Sequence, residues 1–346
     1  MAPWLIAIIV VFGILFLYVA IMMVLFALVM RKLIWVRGKD PDNPCFLRFE
    51  DYRNELERKP YETFYYGKKI AGFLYKERGR KDFSGFVILS HGLFGTHVQY
   101  LIDIDMLCKA GYVVLAYDQY GVGLSEGKNQ ESLGTGIYVL ENVIADVERR
   151  NLNDSLPIVL YGHSWGGYCV TGALRKHPEI AKAVSRSGFV SPTKAGLDAL
   201  RHFCRPLYFL LAPVVYPISW FLIGRRNMRS ALKGMKNHST KCLFIYSLDD
   251  EMVFPENALA CHFKDHPQEN AEVFIRETGG HNNLLTPQSM ENYRNLVKDY
   301  QAITVIEDPE ERKKRSEAFV GSLDRRNQYR LEETVRDRIL SFLEKE

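Results

Sequence analysis

From Trp4 to Met30 the chain carries no charged residue. At about 1.5 Å of rise per residue, a helix of that length crosses a bilayer core with some tilt. The run has no basic start, is longer than the apolar stretch of a leader and lacks a small-residue cleavage site. It therefore reads as an uncleaved membrane anchor rather than a signal peptide. Beyond it the pattern changes to short apolar runs separated by turn residues and amphipathic stretches. "ETFYYGKKIAGFLYKE" reads as a hairpin turning near Gly67. "GFVILSHG", "YVVLAYD", "PIVLY", "AKAVSRSG", "KCLFIYS" and "AEVFIRE" have the length and apolarity of buried strands. Between them, "VQYLIDIDMLCKAG", roughly Gly136 to Arg150, and "YCVTGALRKHP" are helical segments. The last ends near His177, because Pro178 cannot continue it. Strands alternating with helices form a mostly parallel sheet covered on both faces, an α/β fold. No internal repeat underlies the order.

One segment breaks the alternation. Between Gly188 and Lys241 runs "RPLYFLLAPVVYPISWFLIGRR", apolar and aromatic but interrupted by Pro206, Pro213 and Pro217. The prolines argue against a second membrane span. A connection this long inside a folded domain is usually functional. The segment reads as a lid over about 189–240.

Composition narrows the class. Charged residues make up 25% and hydrophobic ones 47% of 346 residues, the balance of a folded protein with ample core. The net charge is only +4. With no basic stripe interleaved with aromatics and no zinc-finger spacing, nucleic acid is not an expected partner. Arg31, Lys32, Arg37 and Lys39 all follow the apolar run. The positive-inside rule then places the body in the cytoplasm, on a single-pass anchor. Cys45, Cys108, Cys169, Cys204, Cys242 and Cys261 show no paired spacing. They read as small hydrophobes, not as a disulfide framework. Sequons at Asn153 and Asn237 would matter only in the opposite orientation.

The chemistry concentrates in "YGHSWGGY", residues 161–168, which sets Ser164 between Gly162 and Gly166 after a strand and before a helix. Flanking glycines allow a sharp turn that lifts the hydroxyl out of the sheet and frees N–H groups at the helix start. This is the G-x-S-x-G nucleophile elbow in its strand–turn–helix context. Such a serine needs a base, an acid to orient the base, and an oxyanion hole. His281, in "ETGGHNNL" just past the last strand, sits where a glycine-bearing loop can swing it to the elbow. His238, His262 and His266 lie in polar stretches, His163 points elsewhere on the turn, and His91 holds its own loop. "SLDDEMV" offers Asp249 and Asp250, either of which can accept the imidazole N–H. The preceding strand is followed by no acid until Asp198. "SHGLFG" presents backbone N–H groups at Leu93 and Phe94, and Trp165 supplies the second donor. Arg186 is unusual in a central strand. It reads as an ion-paired or strand-tip cation before it reads as a substrate ligand.

"HGLFG", "DQYGVGLSEG" (Asp118, Gly121, Gly123, Ser125), "GHSWGG", "SLDDEMV" and "GGHNNL" follow one another in the order used by the α/β-hydrolase superfamily. Residues 60 to 346 resemble its monoacylglycerol-lipase and serine-aminopeptidase-like branch. The resemblance implies an α/β-hydrolase fold and a Ser164–Asp250–His281 triad. The acid motif G-x-x-D-x-x-V falls on Asp250 and Val253, with Ser247 in place of the glycine. The final helix "LEETVRDRILSFL" comes about forty residues late for the family, implying a helical C-terminal insertion at about 286–328. The expected organisation is an anchor and basic flank at 1–39, a juxtamembrane segment at 40–59, and the hydrolase domain at 60–346.

The implied activity is that of a serine hydrolase cleaving carboxylic esters through an acyl-enzyme, with no metal or organic cofactor. Ser164, Asp250 and His281 would be catalytic, with the Leu93 and Trp165 N–H groups holding the oxyanion. An apolar lid and a membrane anchor favour a lipidic ester, of the lysophospholipase or monoacylglycerol type. Leu207 to Ile223, Leu210 and Phe221 among them, would line the acyl pocket. A serine aminopeptidase would need lid acids to hold an α-ammonium, and Arg201 to Lys236 contains none. The same fold also accommodates an acyltransferase or a non-catalytic binding protein. Since the triad lies downstream of the anchor, removing residues 1 to 32 is expected to leave a competent body.

Overall fold

Strands that are apolar at every position can be buried only where both faces of their sheet are covered. The computed structural model shows that arrangement for residues 2–40, 42–203, 205–236 and 239–345, with the side chains of Leu33, Phe203 and Leu207 left undescribed. Cys204, the sequon Asn237 and His238 lie outside the described residues. The strands are β1 (Leu56–Tyr65), β2 (Lys68–Glu77), β3 (Gly85–Ser90), β4 (Tyr112–Tyr117), β5 (Ile158–His163), β6 (Lys182–Arg186), β7 (Lys241–Ser247) and β8 (Ala271–Arg276). They form one sheet in the order β1-β2-β4-β3-β5-β6-β7-β8. The β1–β2 and β2–β4 pairs are antiparallel and the other pairs parallel. The hairpin turns at Tyr66 and Gly67, with φ of 47° and 71°, the left-handed pair that matches strand twist.

The helices are α1 (Pro3–Leu33), α2 (Leu101–Lys109), α3 (Thr135–Arg149), α4 (Trp165–Ala173), α5 (Pro192–Phe203) and α6 (Arg205–Leu211). They continue with α7 (Val215–Ile223), α8 (Leu259–Asp265), α9 (Pro287–Thr304), α10 (Pro309–Ser322), α11 (Arg325–Gln328) and α12 (Glu333–Glu344). One face of the sheet packs on α3, α4 and α8, the other on α2 and α12. The mostly parallel, doubly covered sheet expected from the hydrophobic pattern is present. The described cysteines are unpaired, and all but the half-buried Cys261 are buried.

Two regions differ from a tethered body. The first is α1. Its N-terminal half stands clear of the protein, with Phe12 66% and Phe16 77% exposed, whereas Met22 and Phe26 are 4% and 6% exposed. The buried stripe Met22, Phe26, Met30 and Ile34 packs on Leu200, Leu211, Val215 and Ile218 of the lid helices. Tyr18 Oη donates to the Leu210 carbonyl at 2.7 Å, and Trp35 Nε1 to the Glu131 carbonyl at 3.0 Å. Arg37, expected as a topology charge, directs its guanidinium to the carbonyls of Gly123, Ser125 and Gly127. The second half of α1 is packed against the lid helices, so removing residues 1 to 32 would uncover Leu200, Leu211, Val215 and Ile218.

The second is the segment at 40–59, clasped by the chain's C-terminal helices. Arg325 donates to the Pro44 carbonyl at 2.6 Å and pairs with Asp51 at 3.2 Å. Tyr329 donates to the Cys45 carbonyl, Phe46 stacks edge-on against Tyr293, and Arg326 pairs with Glu55. These partners lie more than two hundred residues apart in sequence.

Candidate active site

Ser164 sits at the carboxyl end of β5, directly before α4, with φ 55° and ψ −115°. A non-glycine residue in that conformation carries strain of about 1–3 kcal/mol and persists only where its surroundings enforce it. Here the Ser164 N–H donates to the Arg186 carbonyl at 2.8 Å, and the Ser164 carbonyl accepts from the Tyr168 N–H at 3.0 Å. A Cβ at Gly162 would overlap the Gly166 carbonyl, and one at Gly166 would overlap the Ser90 carbonyl. The glycines are therefore steric requirements of the turn.

His281 Nδ1 lies 2.9 and 2.8 Å from the two carboxylate oxygens of Asp250. Asp250 Oδ1 also accepts from the Met252 and Val253 N–H groups at 2.8 and 3.0 Å. A carboxylate that receives backbone donors acts as an acceptor, so His281 Nδ1 carries the hydrogen and Nε2 is left to take a proton. The neighbouring Asp249 does something else. It is exposed and accepts from the Gly279 and Gly280 N–H groups at 3.1 and 2.8 Å. Asp249 thus shapes the loop that Asp250 orients. Ser247 replaces the family's glycine without displacing either acid; Gly279, lacking a Cβ, leaves room for its hydroxyl.

The carbonyl of His281 is held from two sides. His163 Nε2 donates to it at 2.9 Å, and so does Ser187 Oγ at 2.9 Å. His163 Nδ1 accepts from Tyr100 Oη at 2.8 Å, and that oxygen accepts from the Gly92 N–H at 2.8 Å. This chain joins the Leu93 loop to the His281 loop through one buried imidazole. Burial, then the Arg186 guanidinium and His281, push the His163 pKa well below the ordinary imidazole range, which keeps it neutral. From the other side, Arg186 is buried, pairs with Asp103 at 2.6 Å and donates to Asn283 Oδ1 at 3.1 Å. Asn283 Nδ2 then donates to Ser187 Oγ at 3.1 Å. Arg186 is an ion-paired structural cation whose network ends on the histidine loop.

Leu93 and Phe94 follow β3, and Phe94 has φ 63°. Asp118 holds this loop from beneath, accepting from the His97 N–H and ring at 2.8 Å and from the Leu124 N–H at 2.8 Å. His91 is a loop residue too, donating from Nδ1 to the Gly92 carbonyl while its Nε2 accepts from the Gln119 N–H. Trp165 is buried with its indole N–H on the Leu133 carbonyl at 2.7 Å. His262 and His266 stack on each other on α8 and its end, with no part in this cluster.

Leu93, Ser164 and His281 line one cavity of about 220 Å³, room for far more than a water molecule. Its other walls include Phe189, Met252 and Val253 from the core, Leu200, Leu211, Val215 and Ile223 from α5–α7, and Phe26 and Met30 of α1 with Ile34 at its end; Ser132, Thr193, Ser219 and Asn227 are its polar members. Among the described residues no Asp, Glu, Lys or Arg lines it. The lid expectation needs correction in detail. Leu210 and Phe221 are 47% and 69% exposed and face outward, with Phe209, Tyr216 and Trp220. The run is apolar on every face, so its periodicity could not tell the inner stripe from the outer one. His163, Tyr100, Ser187 and Asn283 as supports, and α1 as a wall, escaped the sequence reading. The nearest signal was the misplaced charge of Arg186.

Comparison with known proteins adds to this geometry. A family model described as serine aminopeptidase, S33, matches residues 81–217. An esterase of Pyrococcus furiosus superposes with a TM-score of 0.56 at 22% identity, covering 76% of this chain and 96% of that one. A further crystal form of it gives 0.52 at 21%, over 77% and 98%. The chain has the fold of the α/β-hydrolases. A proline iminopeptidase of Saccharolobus solfataricus is 28% identical over 164 residues, 47% of this chain and 50% of that protein. The chain thus spans about half the length of that curated relative.

Proposed function

We propose that this α/β-hydrolase is a membrane-anchored serine esterase acting on lipidic acyl esters. The observation that carries the reading is the cavity at Ser164, walled mostly by aliphatic and aromatic side chains and free of charged ones among the described residues. Ser164 Oγ attacks the ester carbonyl carbon while its proton passes to His281 Nε2. Asp250 stabilises the imidazolium, and the Leu93 and Trp165 N–H groups hold the oxyanion. The carbon–oxygen bond to the alcohol then breaks, and the alcohol leaves with the proton from His281. Water, deprotonated by His281, attacks the acyl-enzyme and releases the acid. No metal or organic cofactor enters the scheme.

An aminopeptidase reading draws on the family match and on the iminopeptidase relative. Against it, no carboxylate among the described residues lines the cavity to pair with an α-ammonium. A panel of p-nitrophenyl esters from acetyl to dodecanoyl, set beside aminoacyl amides, separates the two. Each buried methylene contributes about 0.8 kcal/mol before ordering costs, so kcat/KM rises several-fold per two-carbon step. A flat chain-length profile rules out the lipidic reading, and a preference for aminoacyl amides moves the assignment to a peptidase. In this proposal α1 spans the membrane and the body is cytoplasmic, with exposed Arg31, Lys32 and Lys39 following the span. Protease added to sealed membranes from the non-cytoplasmic side should leave residues 40–346 intact; their digestion reverses the orientation.

A further inference from the structure

We infer that the second half of α1 is one wall of the acyl-binding site, and that this site takes its acyl chain directly from the bilayer. The inference rests on the ester-hydrolase reading above and adds a residue set to it. Phe26 and Met30 recur at every fourth position of α1, with Ile34 next in the series at its C-cap, so they share one face. They are 6%, 9% and 6% exposed, and all three line the cavity that holds Ser164 and His281. Bonds from Tyr18 and Trp35 fix the helix against the lid and body at both ends of that stripe.

Depth in the membrane supplies the second observation. The part of α1 that stands free, Pro3 to Leu17, is about 22 Å long at 1.5 Å per residue. That is shorter than a hydrocarbon core of roughly 30 Å. The apolar layer must therefore reach the docked half, where Ile21, Val24 and Leu28 turn an exposed apolar face away from the lid. The lid helices that pack on this half of α1 present Phe209, Tyr216, Trp220 and Phe221, each more than half exposed. An acyl chain passing from lipid into the cavity thus meets apolar surface along α1 and the lid.

The test uses the full-length protein in native membranes and an alkyl fluorophosphonate carrying a terminal diazirine. Ser164 displaces fluoride from phosphorus, and irradiation then marks whatever lies beside the chain end. Cross-links in the peptide holding Phe26 to Ile34 support the inference. Cross-links confined to residues 192–228 and the core overturn it while leaving the esterase reading in place. Failure to label Ser164 at all sinks that reading, and this inference with it. In parallel, Met30→Trp, which fills the cavity, should lower the dodecanoyl-to-acetyl ratio of kcat/KM by about tenfold or more. Leu28→Trp, on the outward face, should leave the ratio unchanged. Equal ratios in the two variants would also overturn the inference.

Discussion

The serine–histidine centre and the apolar cavity beside it are built by opposite means. At the centre, Asp250, His281, His163, Tyr100 and Gly92 are joined by hydrogen bonds of 2.8 to 2.9 Å. Each donor is paired with a particular neighbouring group, so almost any replacement leaves a polar group unpaired. The cavity is assembled from α1, α5, α7 and the core by non-directional packing. Many apolar side chains of similar volume would serve there. Proton transfer needs atoms held to fractions of an ångström, whereas an alkyl chain needs only dry volume. Disturbance should therefore abolish function in the first region and grade it in the second.

The largest effect should come from Ser164→Ala, which should lower kcat by roughly 10⁴-fold or more, with His281→Ala close behind. The double variant should fall no further, since triad members act as a unit; additive losses would separate the two residues. Adjacent carboxylates give a sharper contrast. Asp250→Asn should cost about 10³-fold or more in kcat, and Asp249→Asn less than about tenfold, because only Asp250 reaches the imidazole. Equal losses would mean that the acid is misassigned.

His163 tests whether the support behind His281 belongs to the directional region. His163→Ala should reduce kcat by about 10- to 100-fold with KM little changed, as misplacement of a catalytic group does. A change in KM alone would make it a packing residue. On the other side of the comparison, Ile223→Asn should lower the dodecanoyl-to-acetyl ratio of kcat/KM by about three- to tenfold. Phe221→Asn, two residues away but facing outward, should not, and equal ratios would collapse the distinction between the lid's two faces.

The smallest effect is electrostatic. Asp198 on α5 accepts from Asn257 Nδ2 at 3.0 Å, and burial raises its pKa to about 6. Its folded form binds a proton more tightly than the unfolded form. The contribution to lid docking is full below the unfolded value and is lost as pH rises from about 4 through about 6. Asp198→Asn should therefore raise Tm by about 2 °C at pH 8, by about half of that at pH 5 and hardly at all below the unfolded value near pH 4. A larger gain at pH 5 would reverse the sign.

Much of this protein is local enough to read from its sequence. Buried strands announce themselves as short apolar runs, and the elbow as a serine between glycines, because strand burial and turn sterics act between neighbours in the chain. The Ser164, Asp250 and His281 positions could be named for the same reason: each lies just past a recognisable strand, and parallel strands carry their ends to one edge of the sheet. Only tertiary packing decided which face of the lid looks inward, since a run apolar on all sides has no moment to orient it. Only packing, too, joined Arg186 to Asn283, Arg325 to Pro44 and Met30 to the cavity of Ser164. Those pairs are separated by 97 and 281 residues in the first two cases. A side chain's own neighbourhood in sequence holds no record of a partner that distant. The second half of α1 lines the cavity because burial depends on where elements meet, and a run apolar on all sides does not say which of its faces is buried or against what.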